Sequence, residues 1–149
     1  MKLSTKSRYA LEGMLYMAVY GKDRLLSIKE IAAGTAVSPA YMEQIFFTLK
    51  KADLVSTVRG AKGGFTLGYP ENEITVGRII RAIDGDLVPV SCVANLSACK
   101  SKVRSNCVSR NVWIRISDAI SETADKQTLE MLKNQFMKES DGAENEDIH

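Results

Sequence analysis

SPAYMEQIFFTLKKADLVSTVRGAKGGFTL, residues 38–67, is the stretch whose reading decides the fold. Ser38-Pro39 opens a helix: the serine hydroxyl accepts from a backbone N–H left free in the first turn, and proline has no N–H to lose there. Behind it Met42, Ile45, Phe46 and Leu49 recur at three- and four-residue spacing and make one apolar stripe. The opposite face shows Tyr41, Glu43, Gln44, Thr48 and Lys51, a set that can hydrogen-bond and carries little bulk. Such a helix suits a DNA groove. The β-prone runs Leu54-Val55-Ser56-Thr57-Val58 and Phe65-Thr66-Leu67 follow, separated by the three-glycine loop Arg59-Gly60-Ala61-Lys62-Gly63-Gly64, and together they predict a hairpin.

Working outward toward the N-terminus, Ala10, Met14, Met17 and Ala18, with Leu11 and Leu15 beside them, predict a helix over 7–20 that stops at Gly21. A second, short helix opens at Ser27 with Glu30 three residues on, the spacing of a capping box, and Gly34 closes it. Three helices followed by a hairpin is the order of a winged helix-turn-helix: a mainly α fold whose third helix enters the major groove and whose hairpin loop is the wing.

Toward the C-terminus, Val76, Ile79, Ile80 and Ile83 predict a helix over 75–83 capped by Gly85. Residues 86–108 show no clear periodicity. A helix resumes over 109–123, where Val112, Ile116 and Ile120 repeat every four residues, joined by Trp113 and Ala119. An apolar stripe this long, outside the DNA module, calls for a partner helix, which a second copy of the chain would supply. Leu129, Leu132 and Phe136 mark a last helix over 128–137. From Glu139 onward five acids and almost no apolar residue predict a disordered tail. The division is a winged domain over 1–85, a cysteine loop over 86–108, dimerisation and terminal helices over 109–138, and an acidic tail over 139–149.

The chain of 149 residues is the size of one domain, and no apolar run approaches the roughly 20 residues that span a bilayer. With no targeting segment at the start, a cytoplasmic protein without a membrane partner is expected. The net charge of +2 is unevenly spread: residues 1–68 hold ten Lys/Arg against five Asp/Glu, whereas residues 109–149 hold five against nine. A basic N-terminal half suits a polyanion. Around the wing, Gly60, Gly63 and Gly64 let backbone approach phosphates, Lys62 adds charge, and Arg59 can enter a narrow minor groove. On the third helix Gln44 can bond both edges of adenine, and Glu43 can accept from cytosine or repel wrong bases. An enzyme is poorly supported: there is no phosphate-binding glycine signature and no Ser/His/Asp arrangement, and the single histidine is His149.

Cys92, Cys99 and Cys107 lie within 16 residues. An odd number without an export signal argues against a structural disulfide framework. Clustered thiolates are the standard ligands of iron–sulfur clusters, and Lys100, Lys102 and Arg104 would favour the thiolate form. Free thiols, or a disulfide formed on oxidation, are the other readings of the same residues.

The opening Met1-Lys2-Leu3-Ser4-Thr5-Lys6-Ser7-Arg8-Tyr9-Ala10, Tyr41-Met42-Glu43-Gln44, the wing Val58-Arg59-Gly60-Ala61-Lys62-Gly63-Gly64-Phe65 with Leu67, and Val76-Gly77 together resemble the IscR/NsrR/RirA/CymR group of bacterial winged-helix regulators over roughly residues 1–125. The resemblance implies a homodimeric transcription factor, expected to be a repressor, that binds a double-stranded operator. Its DNA-contacting positions would fall on Tyr41, Glu43, Gln44 and Arg59, and Ser38, Gly60, Lys62 and Gly63 beside them complete the expected DNA-binding set. It further implies an iron–sulfur cluster, 2Fe-2S ahead of 4Fe-4S, on Cys92, Cys99 and Cys107, with Cys92 and Cys107 matching first and third ligands. No fourth ligand is visible: Arg110 stands where the group's histidine would be, and Arg8 where another branch has a carboxylate. Ile79-Ile80-Arg81-Ala82-Ile83-Asp84-Gly85 and Trp113-Ile114-Arg115-Ile116-Ser117-Asp118-Ala119 resemble instead the branch that regulates cysteine metabolism, whose typical members lack the cluster. That branch implies a cluster-free regulator governed by thiol oxidation or by a partner protein.

Overall fold

The computed structural model describes residues 3–102 and 106–146. The chain folds as α1 (Thr5–Tyr20), α2 (Ile28–Thr35), α3 (Pro39–Lys51), β1 (Val55–Val58), β2 (Gly64–Leu67), α4 (Val76–Asp84), a short α5 (Ser91–Ala94), a single 3₁₀ turn at Leu96–Ala98, α6 (Val108–Lys126) and α7 (Leu129–Glu146). Three helices and an antiparallel hairpin therefore stand in the expected order. No helix among the described residues is long and apolar enough to cross a membrane.

Local signals start these helices. Ser4, Ser27, Ser38 and Thr75 each place a side-chain oxygen on a backbone N–H of the first turn. Ser27 and Glu30 complete the capping box, and the Ser27 backbone N–H, then Arg24, hold the Glu30 carboxyl down to about 2. The first helix begins at Thr5, two residues before the expected start, because Ser4 caps it. The second does not end on Gly34. It runs to Thr35 and is capped by Ala36 in the left-handed region at φ 53°. Gly34 serves close packing instead, since a Cβ there would overlap the Tyr16 ring.

One core joins the first three helices to the hairpin: Ala10, Met14 and Met17 of α1, Ile31 of α2, Met42, Ile45, Phe46 and Leu49 of α3, with Leu26, Leu54, Val55, Ile74, Ile79 and Leu129. Each large apolar side chain buried here contributes about 1.5–3 kcal/mol. Phe46 meets Phe65 of β2 edge-on, with ring centres 5.2 Å apart, so α3 and the hairpin share a contact in the core. Val55 pairs with Leu67 and Val58 with Gly64. Leu26 adds a bridge on the outer edge of β2, where Phe65 N–H donates to its carbonyl at 2.8 Å and Leu26 N–H returns the bond at 3.1 Å.

The C-terminal helices are tied back to α4 and to the segment before it. Arg81 grips the Asp125 carboxylate with two hydrogen bonds of 2.6 and 2.9 Å, and Lys133 reaches both oxygens of Glu71 at 2.9 Å. Thr75 and Thr128 form a β-bridge at the turn between α6 and α7. Residues 139–146, expected to be disordered, continue α7. Gln135 donates to Glu139 and Ser140 to the Phe136 carbonyl, and an established helix gains one backbone bond for each residue added. Residues 147–149, His149 among them, lie outside the described residues, as do Met1 and Lys2.

Candidate nucleic-acid interface and cysteine loop

At about 100° per residue, the buried Met42, Ile45, Phe46 and Leu49 centre on one side of α3, and Ala40, Glu43, Gln44, Phe47 and Lys51 fall on the other. All five are exposed. Ser38 stands before them as the N-cap, its hydroxyl accepting from Tyr41 N–H at 3.3 Å. Tyr41, expected on the polar face, is half-buried: it sits at the flank of α3, and its ring meets Tyr9 edge-on at 6.0 Å. Thr48 turns its hydroxyl to the Gln44 carbonyl at 3.2 Å. Sequence reasoning assigns Phe47 to neither face, and the structure leaves it 60% exposed.

The wing is shaped by two of its glycines. Gly60 has φ +119°, a conformation that side-chain-bearing residues rarely adopt, and a Cβ on Gly63 would overlap the Val58 carbonyl. The loop closes with a 3.0 Å bond from Gly63 N–H to the Gly60 carbonyl. That fold leaves Arg59, Gly60 and Lys62 exposed at the tip. Lys50, at the end of α3, donates to the Thr57 hydroxyl at 2.8 Å and so fixes the wing strand to the helix. The result is a polar-faced helix and a cationic loop held as one unit, a shape that matches a groove and its phosphate rim.

The cysteine loop is packed against α6. Leu87 is buried and its carbonyl accepts from Ser117 at 2.9 Å. Arg110 Nε donates to the Cys92 carbonyl at 2.9 Å, which brings α5 to the start of α6. Cys107 is the N-cap of α6, with Sγ 3.1 Å from Ser109 Oγ. The Ser109 hydroxyl, followed by the Arg110 backbone N–H, lowers its pKa below the ordinary thiol value. All three cysteines are free and half-buried. Among the described residues no group of three or more Cys, His, Asp or Glu is placed to hold a metal ion. Arg110 thus meets the main chain of Cys92 and supplies no ligand atom, while Arg104 lies outside the described residues.

Along α6 the stripe expected to need a partner is open, with Val112 51% and Ile116 38% exposed, and Val108 and Trp113 exposed beside them. Ile120 is half-buried.

Comparison with known proteins places these features. The sequence pattern of the Rrf2 family, described as an iron-dependent transcriptional regulator, matches residues 3–135. The HTH-type transcriptional regulator CymR of Bacillus subtilis is 39% identical over 132 residues, covering 89% of this chain and 89% of that protein. Its solved structure, described as the global cysteine regulator, superposes with a TM-score of 0.76 at 37% identity over 91% of this chain and 98% of that one. The HTH-type transcriptional regulator IscR of Photobacterium profundum is 33% identical over 147 residues, 98% of this chain and 84% of that protein. The oxidized form of Staphylococcus aureus CymR gives a TM-score of 0.69 at 35% identity, covering 89% of this chain and 96% of that one.

Proposed function

Since the chain belongs to the Rrf2 family of transcriptional regulators, we propose that it acts as a homodimeric, sequence-specific DNA-binding regulator. In this reading α3 lies in the major groove of a double-stranded operator, and Arg59 with Lys62 reaches the adjoining minor groove and its phosphates. The observation that carries it is the Lys50–Thr57 bond, which joins the exposed Glu43 and Gln44 face to the exposed wing. The open Val112–Ile116 stripe of α6 supports pairing of two copies. Two copies related by a two-fold axis would read two half-sites about one helical turn apart. Selection of bound duplexes from random DNA tests this: an inverted repeat supports the reading, and recovery of no motif overturns it.

The signal is read in the loop over 86–108. Control by thiol oxidation, in a regulator of cysteine or sulfur metabolism, fits best, supported by the similarity to CymR. Cys107, whose pKa is lowered by the Ser109 hydroxyl and the Arg110 backbone N–H, is the candidate nucleophile in this reading. Disulfide formation between two of the thiols would pass two electrons and two protons to an oxidant. The IscR relatives and the iron-dependent description of the family support a second reading, a cluster on Cys92, Cys99 and Cys107. Strictly anaerobic purification separates the two. Colourless protein without iron or sulfide, whose operator affinity changes on oxidation and returns with a dithiol, supports thiol control. Brown protein with stoichiometric iron and sulfide, bleached alike by each of the three single cysteine-to-alanine changes, overturns it in favour of the cluster.

A further inference from the structure

Phe47 is the largest apolar group on the exposed face of α3, and it lies near the middle of that face. Measured around the helix, it falls between Glu43, one turn before it, and Gln44 on its other side, directly opposite the buried stripe. The ring is 60% exposed, and the Lys51 ammonium lies 4.5 Å from its centre. That cation lies over the ring, most of which is still exposed. An apolar side chain in this place cannot accept or donate to a base edge and is not drawn to phosphate. What it can do in a major groove is exclude water from another apolar group, and the groove offers one: the C5-methyl of thymine.

We propose that Phe47 is a specificity-determining residue that reads a thymine methyl in the operator, next to the base position faced by Glu43. The inference rests on the DNA-binding reading above and adds a preference that polar recognition residues cannot supply. The recognition helix usually touches bases through its N-terminal turns, and the long reach of a phenylalanine extends contact one turn further along the axis. Lys51 acts here as a positioning residue, holding the ring on its outward course while its charge remains available to the backbone phosphates. Glu43 and Phe47 have complementary roles, in that the carboxylate disfavours bases that present only acceptors and the ring favours the one base that presents a methyl.

The test uses full-length wild-type protein, F47S and F47A, with motifs selected by each from random duplex DNA. The wild type should select thymine at one position in each half-site, and both variants should lose that preference while retaining the rest of the motif. Replacing that thymine by deoxyuridine, which removes only the methyl, should weaken the wild type about three- to ten-fold and leave F47S within about two-fold. Retention of the wild-type motif by F47S, or an equal deoxyuridine penalty in both proteins, overturns the role of Phe47 while DNA binding stands. Absence of any motif for the wild type overturns the DNA-binding reading and this inference with it. Circular dichroism of the variants checks that each has folded.

Discussion

Lys50, in the last turn of α3, donates a 2.8 Å hydrogen bond from its ammonium to the hydroxyl of Thr57 on β1. If the recognition helix and the wing enter different grooves, their relative setting has to be fixed before DNA arrives. Thr57→Val keeps the shape of the side chain and removes the acceptor. Operator affinity should fall about two- to five-fold, the lower range for a single hydrogen bond, because this one is exposed to solvent. The melting temperature should move by no more than about 3 °C. Fluorescence anisotropy with a labelled operator reads the first quantity and a thermal scan the second.

A second link lies under the N-terminus of α1. Asp84, the last residue of α4, accepts from Ser4 N–H at 2.9 Å and from the hydroxyls of Ser4 and Ser7 at 2.6 Å each. Burial alone would raise the Asp84 carboxyl, but the bonds from Ser4 and Ser7 and the charge of Lys6 outweigh it, and its pKa lies below the ordinary value. A carboxylate with a depressed folded-state pKa stabilises the fold fully above its unfolded-state pKa, about 3.9, and loses that contribution as pH falls through the folded-state value. Asp84→Asn should therefore cost about 1 kcal/mol at pH 7, a figure reduced for the partial exposure of the group. The difference from wild type should shrink as the pH drops below about 4. Denaturant titrations at pH 7 and pH 3 measure it.

The open face of α6 gives the third expectation. Ile116→Glu places a charge in the middle of the Val112–Ile116 stripe without touching the core, since Ile116 is already 38% exposed. Sedimentation should show monomers where the wild type shows dimers, with the helical content unchanged. Operator binding should weaken strongly, because two half-sites would no longer be held by one particle. A dimer that survives the substitution would move the subunit contact off α6.

The winged core was legible in the sequence because caps and periodicity act locally: Ser38, Pro39 and the Met42–Leu49 stripe dictate α3 without help from distant residues. What was not legible depends on other parts of the chain. Gly34 reads as a stop from its place near a helix end, and only the Tyr16 ring, brought in by α1, shows that it is there for room. Phe47 follows Ile45 and Phe46 and merges into an apolar run, so composition conceals what its angular position reveals. Tyr41 lies on the border of the polar face, and its burial depends on Tyr9. The acidic residues after Glu139 cannot build a core, yet they extend a helix that Phe136 and its neighbours have begun. The cysteine loop was least legible. Its course is set by the bond from Arg110 to Cys92 and the bond from Ser117 to Leu87, contacts between segments 18 and 30 residues apart.

Whether α3 and the wing read DNA as one surface is decided most sharply at Arg59. The side chain lies exposed at the tip of the wing, clear of the core, so Arg59→Ala should leave dimer and melting temperature as they are. Binding of the selected operator should be measured for both proteins across a salt series. Arg59→Ala should lose about ten-fold or more in affinity, and the salt dependence should fall by about one counterion per wing. Equal affinity of the two proteins for that operator at matched salt would remove the wing from DNA recognition.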